Sequence, residues 1–364
     1  MNRRVMLAGG GALVLGAAGV ATTSYLSMGS AEDYDLAMAK LRTPLPALAE
    51  LKDIVRFATL AASSHNTQPW RFRLSDNRID ILPDFSRRTP TVDPDDHHLF
   101  VSLGCAAENL ALAAGNRGRP GEMRFDAAAE GSIVYDFTNG LSRASELFDA
   151  IPIRQSTRAE YDGKPVSAGD LTRLAFAAKV DGVDVILITE RTQIDKIGDL
   201  IVTANTAQLA DKAFVKELKS WLRFNPNQAL ASGDGLYSVT SGNPALPRCV
   251  GPMMFDMLVQ PKSENDKYAR QLNSSTGIVV FIAAKEDHEH WVRAGQACQR
   301  FALQATALGL KHAFVNQPVE LAQFRPELAA LIGMEGRRAD IVMRFGYGPE
   351  LPFSARRPVE AVLA

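Results

Sequence analysis

The chain has 364 residues, enough for two domains or one large one. With 46% hydrophobic and 22% charged residues its composition is ordinary for a globular protein, and a formal net charge of -1 excludes the basic surface that nucleic-acid binding needs. Cys105, Cys249 and Cys298 lie far apart, which excludes a disulfide framework or a cysteine metal pattern and makes each a small buried apolar residue.

The N-terminus opens with Arg3 and Arg4, continues through an uncharged Gly- and Ala-rich run over 5–21, and closes at Glu32, Asp33 and Asp35. That is the layout of a secretory segment. Paired arginines ahead of a weakly apolar run resemble a twin-arginine export signal. The resemblance implies a signal segment over 1–31, the twin-arginine export machinery as a partner, and a periplasmic or exported protein. The membrane enters only as a tether where the segment stays uncleaved, since so short and glycine-rich a run is marginal for a span.

A helix is expected over 45–61, where Leu48, Leu51, Ile54, Val55, Ala58 and Leu60 recur at helical spacing. Gln68-Pro69 then forces an extended exit, because the residue before proline is biased away from helix. Trp70, Phe72 and Leu74 alternate with Arg71 and Arg73, so a hairpin over 70–82 turns at Ser75-Asp76-Asn77. Between helix and hairpin, Ser63, Ser64, Asn66 and Gln68 crowd short donors and acceptors of the kind a polar ligand uses. A plain polar loop is the structural alternative.

Asp95-Asp96-His97-His98 heads an Ala-rich helix over 99–116, and Glu286-Asp287-His288-Glu289-His290 precedes another. Adjacent helical residues point in different directions, so both clusters are expected to be solvated helix starts, with no metal. The two helices match each other. Gly104, Ala106, Ala111, Leu112, Ala114 and Gly118 align with Gly295, Ala297, Ala302, Leu303, Ala305 and Gly309, which points to an internal duplication.

The second half opens at 151 with Arg154-Gln155-Ser156-Thr157-Arg158, whose guanidinium groups suit a phosphate or a carbonyl-rich ring. A helix over 167–179 follows, and apolar β-branched runs over 183–189, 277–284 and 340–347 read as buried strands. Arg356 and Arg357 follow the last of them. The segment 221–268 is broken by Asn225-Pro226, Gly233-Asp234-Gly235 and Asn243-Pro244, yet it carries Trp221, Phe224, Tyr237, Met253, Met254 and Phe255. An ordered insertion this apolar covers something, either an active site or a packing surface between the halves.

Ser63-Ser64-His65-Asn66-Thr67-Gln68-Pro69-Trp70 resembles the Ser-x-x-Asn-x-Gln-Pro-Trp stretch of the FMN-dependent nitroreductase family, and Arg154, Ser156 and Arg158 resemble its Arg-x-Ser-x-Arg opening. The resemblance implies an α+β fold, a duplicated nitroreductase-like arrangement of central mixed sheets flanked by helices. It implies bound FMN, with Ser63, Ser64, Asn66 and Gln68 lining the flavin. Arg154, Gln155, Ser156 and Arg158 would hold the phosphate, ribityl chain and pyrimidine edge, and Arg356 and Arg357 a C-terminal phosphate arm. The family's Glu-Gly pair near the reactive nitrogen is absent here. The chain instead runs through Ala313-Phe314-Val315-Asn316-Gln317-Pro318, and Asn316 joins the candidate cofactor set.

Family members pair as homodimers with the flavin between subunits. Here the first half, 40–150, has the loop and the second half, 151–364, has the arginines. The expectation is a fused pseudo-dimer with one flavin site and an insertion over about 221–270, resembling the lid-covered branch of the family. Two functions follow from the resemblance. One is an oxidoreductase passing electrons from a small-molecule donor through FMN to a small electron-poor acceptor. The other is a non-catalytic protein that sequesters or stores FMN. The sequence names no catalytic residue, and whether whole chains form a further homodimer stays open.

Overall fold

The structure is a computed structural model that describes residues 27–364; the arginine pair and apolar run of the export-like segment lie outside the described residues. Helix α1 (Ala31–Leu41) and α2 (Leu51–Thr59) lead into the hairpin β1 (Trp70–Ser75) and β2 (Arg78–Pro83). Helix α3 (His97–Asn116) follows, then β3 (Gly121–Asp126), β4 (Ser132–Phe137) and α4 (Glu146–Ala150). The second half repeats the plan with α5 (Ala168–Ala177), β5 (Val183–Ile188), a helical excursion, β8 (Gly277–Ala283), α11 (His288–Ala307), β9 (Lys311–Phe314) and β10 (Ile341–Gly346). The excursion comprises α6 (Arg191–Ala210), α7 (Lys212–Ser220), β6 (Leu222–Arg223), α8 (Pro226–Ser232), β7 (Leu236–Tyr237), α9 (Gly251–Leu258) and α10 (Pro261–Asn273). Short helices α12 (Gln317–Glu320) and α13 (Arg325–Leu331) separate β9 from β10.

The two main sheets have strand orders β1-β2-β4-β3 and β5-β8-β10-β9, the same order when each half is numbered from its own first strand. All pairings within them are antiparallel, which corrects the expectation of mixed sheets. Parallel contacts at the main sheets are limited to isolated bridges, Phe72 with Leu363 and Ser156 with His312. Antiparallel pairing follows from the connections. The hairpin turn reverses the chain, and α3 and α11 each return it across one face of a sheet.

Those two helices form the centre of the molecule. Helices α3 and α11 meet reciprocally: a Cβ on Gly104 would sit 2.0 Å from the Val292 carbonyl oxygen, and one on Gly295 would sit 2.0 Å from that of Val101. Only a hydrogen lets the backbones approach this closely. One hydrophobic core runs through the crossing, from Trp70, Phe72 and Ile81 in the first sheet to Phe281, Met343 and Phe345 in the second. By length and composition α3 could cross a membrane, but 89% of its most apolar window is buried inside the protein, so it is a core helix.

Three further expectations are corrected. Helix α2 starts at Leu51, where Glu50 and Asp53 form a capping box, and not at 45. Leu48 therefore lies outside the helix and is 94% exposed. The head of α3 is not solvated, since His97 and His98 are buried against Trp291 and Asp340. Cys249 is exposed, unlike Cys105 and Cys298.

Candidate functional site

The polar loop after α2 is strained. His65, Asn66 and Gln68 have φ of 46°, 53° and 52°, the left-handed region that side chains other than glycine avoid. Each such residue costs about 1–3 kcal/mol and persists only where its surroundings hold it. The surroundings come from the tail and from the turn after α8. Asn66 Nδ2 donates to the carbonyls of Gly235 (3.0 Å) and Ala355 (3.1 Å), and its Oδ1 accepts from Arg356 Nη1 (3.0 Å). Gln68 Nε2 donates to the Gly233 carbonyl at 2.8 Å, and its Oε1 accepts from the Arg357 backbone N–H at 2.9 Å. Asp234, between those two glycines, pairs with Arg87 and with Arg223, and Arg87 also donates to the Thr67 carbonyl.

Arg356 is internally satisfied. Its Nε donates to the Thr59 carbonyl at 2.8 Å, and its Nη2 to those of Leu60 (3.3 Å) and Ala61 (3.1 Å), so it closes the C-terminal end of α2. Arg357 Nη1 reaches the Gln68 carbonyl at 3.3 Å and lies 3.8 Å from Asp84. Asn66, Gln68, Arg356 and Arg357 thus sit together in one knot that binds loop, insertion and tail.

A cavity of about 470 Å³ lies beside this knot, between the halves. Ser63, Ser64, Arg158 and Asn316 line it; Asn66, Gln68, Arg154, Gln155, Ser156, Arg356 and Arg357 do not. Arg154 is buried behind it, donating to the Leu60 carbonyl at 2.8 Å. Gln155 Oε1 accepts from the Leu351 N–H (2.9 Å) and the Thr157 hydroxyl (3.1 Å), while Ser156 bridges to His312 in β9. Asn316 Oδ1 accepts from the Val342 N–H at 2.9 Å. The cavity's far wall is the insertion: Phe224, Met254, Phe255 and Tyr268 face inward. Trp221, Tyr237 and Met253 do not line it. Tyr237 packs on Tyr34 of α1, Arg87 lies over the Trp221 ring, and Met253 is 63% exposed.

Arg158 carries the electrostatics. Among the described residues its guanidinium has no hydrogen-bond or ion-pair partner, and the half-buried side chain opens onto the cavity. Burial pulls its pKa down from the arginine range, but arginine keeps its charge. Burial, with a smaller push from Arg158, lowers His65 to about 4, so that imidazole is neutral at neutral pH. At the opposite edge, burial raises Glu320 to about 7. Sequence reasoning missed Ser102, Tyr268, Gln208 and Glu320 of this wall. Tyr268 stands at the end of the turn-broken apolar insertion; the other three carry no local signal.

The fold and site define an α+β protein with two antiparallel sheets, in which the loop after α2, helix α3, the ends of β9 and β10 and the insertion enclose a cavity that one unpartnered guanidinium among the described residues faces. Residues 153–348 match the model of the nitroreductase family, and the chain belongs to that family. Two Mycobacterium tuberculosis (strain H37Rv) relatives, both provisionally named NAD(P)H nitroreductases, align over most of the chain. One, Rv3131, is 25% identical over 340 residues, 89% of this chain and 94% of its own. The other, acg, is 23% identical over 327 residues, 86% and 94% respectively. Among solved structures, the FMN-dependent nitroreductase NfnB from Mycobacterium smegmatis, in complex with NADPH, aligns with 56% of this chain and 87% of its own, at 14% identity and a TM-score of 0.38.

Proposed function

We propose that the protein binds one FMN in the cavity between its halves and acts as an oxidoreductase that takes electrons from a reduced nicotinamide donor and gives them to a small electron-poor acceptor. The observation that carries this reading is the half-buried, unpartnered guanidinium of Arg158 on the cavity wall. A cation partly withdrawn from water without a protein partner is costly, and a ligand rich in anionic and carbonyl acceptors compensates it. The donor set fits FMN: Ser63, Ser64 and Asn316 offer hydrogen bonds around an apolar surface from Val101, Phe314 and Ile341, in a volume within the usual range for cofactor sites. When bound, the flavin supplies the redox chemistry; the protein supplies binding, orientation and electrostatics. Arg158 would hold the pyrimidine edge and stabilise negative charge there. Asn66, Gln68, Arg356 and Arg357 would shape the loop that presents Ser63 and Ser64.

The fused pseudo-dimer is part of this reading. Its support is the repeated strand order, the reciprocal glycine contacts, and a family match that spans the second half. Residues 60–69 form the polar loop between α2 and β1, whereas the corresponding connection between α5 and β5 is the short turn 178–182. One flavin per chain follows. We also propose export through the twin-arginine route, on the paired Arg3 and Arg4 ahead of a weakly apolar run; replacing Arg3 and Arg4 by lysine should retain the protein in the cytoplasm, and unchanged export would refute that route.

A second reading has its own observation. The insertion walls the cavity with Phe224, Met254, Phe255 and Tyr268, an arrangement that would sequester the cofactor and exclude large acceptors. One experiment tests both readings. The purified protein is examined by visible absorption before and after FMN reconstitution, then assayed with NADPH or NADH and a small quinone. A flavin spectrum with turnover supports the oxidoreductase, and a flavin spectrum without turnover supports sequestration. No flavin binding overturns both.

A further inference from the structure

The head of α3 gathers groups that the flavin reading leaves unused. Asp93, His97 and His98 are all buried, and one ligand atom from each lies within 4.8 Å of the others. Each has a different role in holding that geometry. The two carboxylate oxygens of Asp93 accept the backbone N–H groups of His98 and Leu99, both at 2.9 Å, which fixes the carboxylate at the helix N-terminus and leaves each oxygen a further lone pair. His97 Nε2 lies 2.8 Å from Asp340 Oδ1, and Asp340 Oδ2 accepts from the Ala283 N–H. A carboxylate that holds one imidazole nitrogen fixes the tautomer and directs the other nitrogen's lone pair toward a metal.

His98 is the unexplained member. Its residue is 3% exposed, and neither ring nitrogen has a hydrogen-bond partner. A buried polar atom left unpaired costs about 1–3 kcal/mol, so an imidazole with both nitrogens unpaired calls for a ligand. Its Nδ1 is 4.0 Å from Glu320 Oε1, while the other oxygen of Glu320 accepts from Gln208 Nε2 at 2.5 Å. The nearby cation Arg338 is neutralised by Asp95 at 2.5 Å and lies 3.8 Å from Glu286.

We propose that Asp93, His97 and His98, with Glu320 as a fourth ligand, form a binding site for a first-row divalent metal ion in the cavity wall. Mixed imidazole and carboxylate ligands select zinc, iron(II), cobalt(II) or manganese(II) over calcium and magnesium. Bonds of ~2.1 Å around a tetrahedral ion place ligand atoms roughly 3.4 Å apart, so the groups close by small side-chain rotations, and the untethered His98 ring supplies most of them. His98 and Glu320 both line the cavity, so the ion is reached from that side.

The test is a titration of the tag-free, chelator-stripped full chain with cobalt(II), followed by visible absorption, with zinc(II) as competitor. The expected result is one equivalent of cobalt with a ligand-field band that zinc displaces. His98→Ala should weaken binding by more than roughly 100-fold. Asp340→Asn, which releases His97 without removing a ligand, should weaken it by roughly 10–100-fold. His290→Ala, at the solvated head of α11, should change nothing. Circular dichroism checks folding of each variant, and Glu320→Gln at the cavity edge carries the same expectation if His98→Ala does not fold. Absence of the band, or a band that survives both His98→Ala and Glu320→Gln, overturns the proposal.

Discussion

Arg158 and Arg356 carry the same side chain in opposite circumstances. Every hydrogen-bonding nitrogen of Arg356 is committed to protein oxygens, so removing it strands the carbonyls of Thr59 and Ala61 and the Asn66 Oδ1, while the Leu60 carbonyl keeps Arg154. Arg356→Ala should therefore lower stability by about 3–5 kcal/mol in chemical denaturation. Arg158→Ala strands nothing inside the protein. It should leave the denaturation midpoint near that of the parent and weaken FMN binding by about 1.5–3 kcal/mol, roughly 10- to 150-fold in a fluorescence titration. The reverse pattern would assign Arg356 the ligand and Arg158 the scaffold. The sequence displayed both arginines, and the family resemblance gave both a cofactor role. It could not show which one the fold already satisfies, because the carbonyls that satisfy Arg356 lie at the end of a helix in the other half. His65 yields a pH prediction. Burial lowers its pKa to about 4, against about 6.5 unfolded. A folded pKa below the unfolded one means stability present above pH 6.5 and lost as pH falls toward 4. The loss attributable to His65 between pH 7.5 and 5 is about 2 kcal/mol. His65→Asn keeps a residue that tolerates positive φ and removes the titration. Denaturation at the two pH values should show that variant losing about 2 kcal/mol less than the parent; equal losses would show that His65 titrates normally.

At the scale of elements, the crossing of α3 and α11 decides whether the two halves share a core. Gly104 and Gly295 each face a carbonyl oxygen of the opposite helix, which is rigid backbone and not a side chain that can swing away. Gly104→Ala or Gly295→Ala must push the helices apart and should destabilise the protein by about 3 kcal/mol or more. Gly115, in the same helix α3, would meet nothing within 4 Å on gaining a Cβ. Gly115→Ala should be neutral or stabilising by up to about 1 kcal/mol, the helix-propensity difference alone. Thermal or urea denaturation of the three variants separates close packing from propensity, and equal effects at Gly104 and Gly115 would remove the crossing as the reason for the glycines. The glycines at the crossing, the hairpin, both long helices and the three strands of the second half were legible. Strand β5, however, lies at the sheet edge with only Ile188 fully buried, so its expected burial is corrected: an apolar run reads the same at an edge as at the centre. Strand direction was not legible, because an apolar β-branched run reads the same whichever way its neighbour runs. The burial of His97 and His98 was also hidden. Trp291 and Asp340, which enclose them, are remote in sequence, and a His pair at a helix start looks solvated until the second half is laid over it.

At the scale of the whole molecule, the insertion is tied to everything around the cavity. Its turn at Gly233 and Gly235 supplies the carbonyls that hold Gln68 and Asn66. Asn227 in α8 donates through its backbone and side chain to the carbonyls of Met28 and Ser27, and Tyr34 and Met38 of α1 pack on Ala229 and Tyr237. The stretch through α8 and β7 is therefore part of the scaffold, and deleting it would collapse the loop along with any cover. Helix α9 is different. Met254 and Phe255 face the cavity, while Met253, Met257 and Leu258 are more than half exposed, so it forms an outer flap with water on one side and the cavity on the other. Replacing residues 243–259 with a short Gly/Ser linker removes that flap and leaves the Gly233, Asp234 and Gly235 contacts in place. If the flap covers a bound flavin, the truncated protein should keep the midpoint of its main unfolding transition within about 1 kcal/mol, because its buried apolar contribution is small. FMN release and reduction by dithionite should both accelerate, by roughly 10-fold or more for each 1.4 kcal/mol of lost cover. Stopped-flow absorbance measures both rates on one sample. Unchanged rates with an intact fold would show that α9 shields nothing, leaving the cavity open to acceptors and favouring turnover over sequestration.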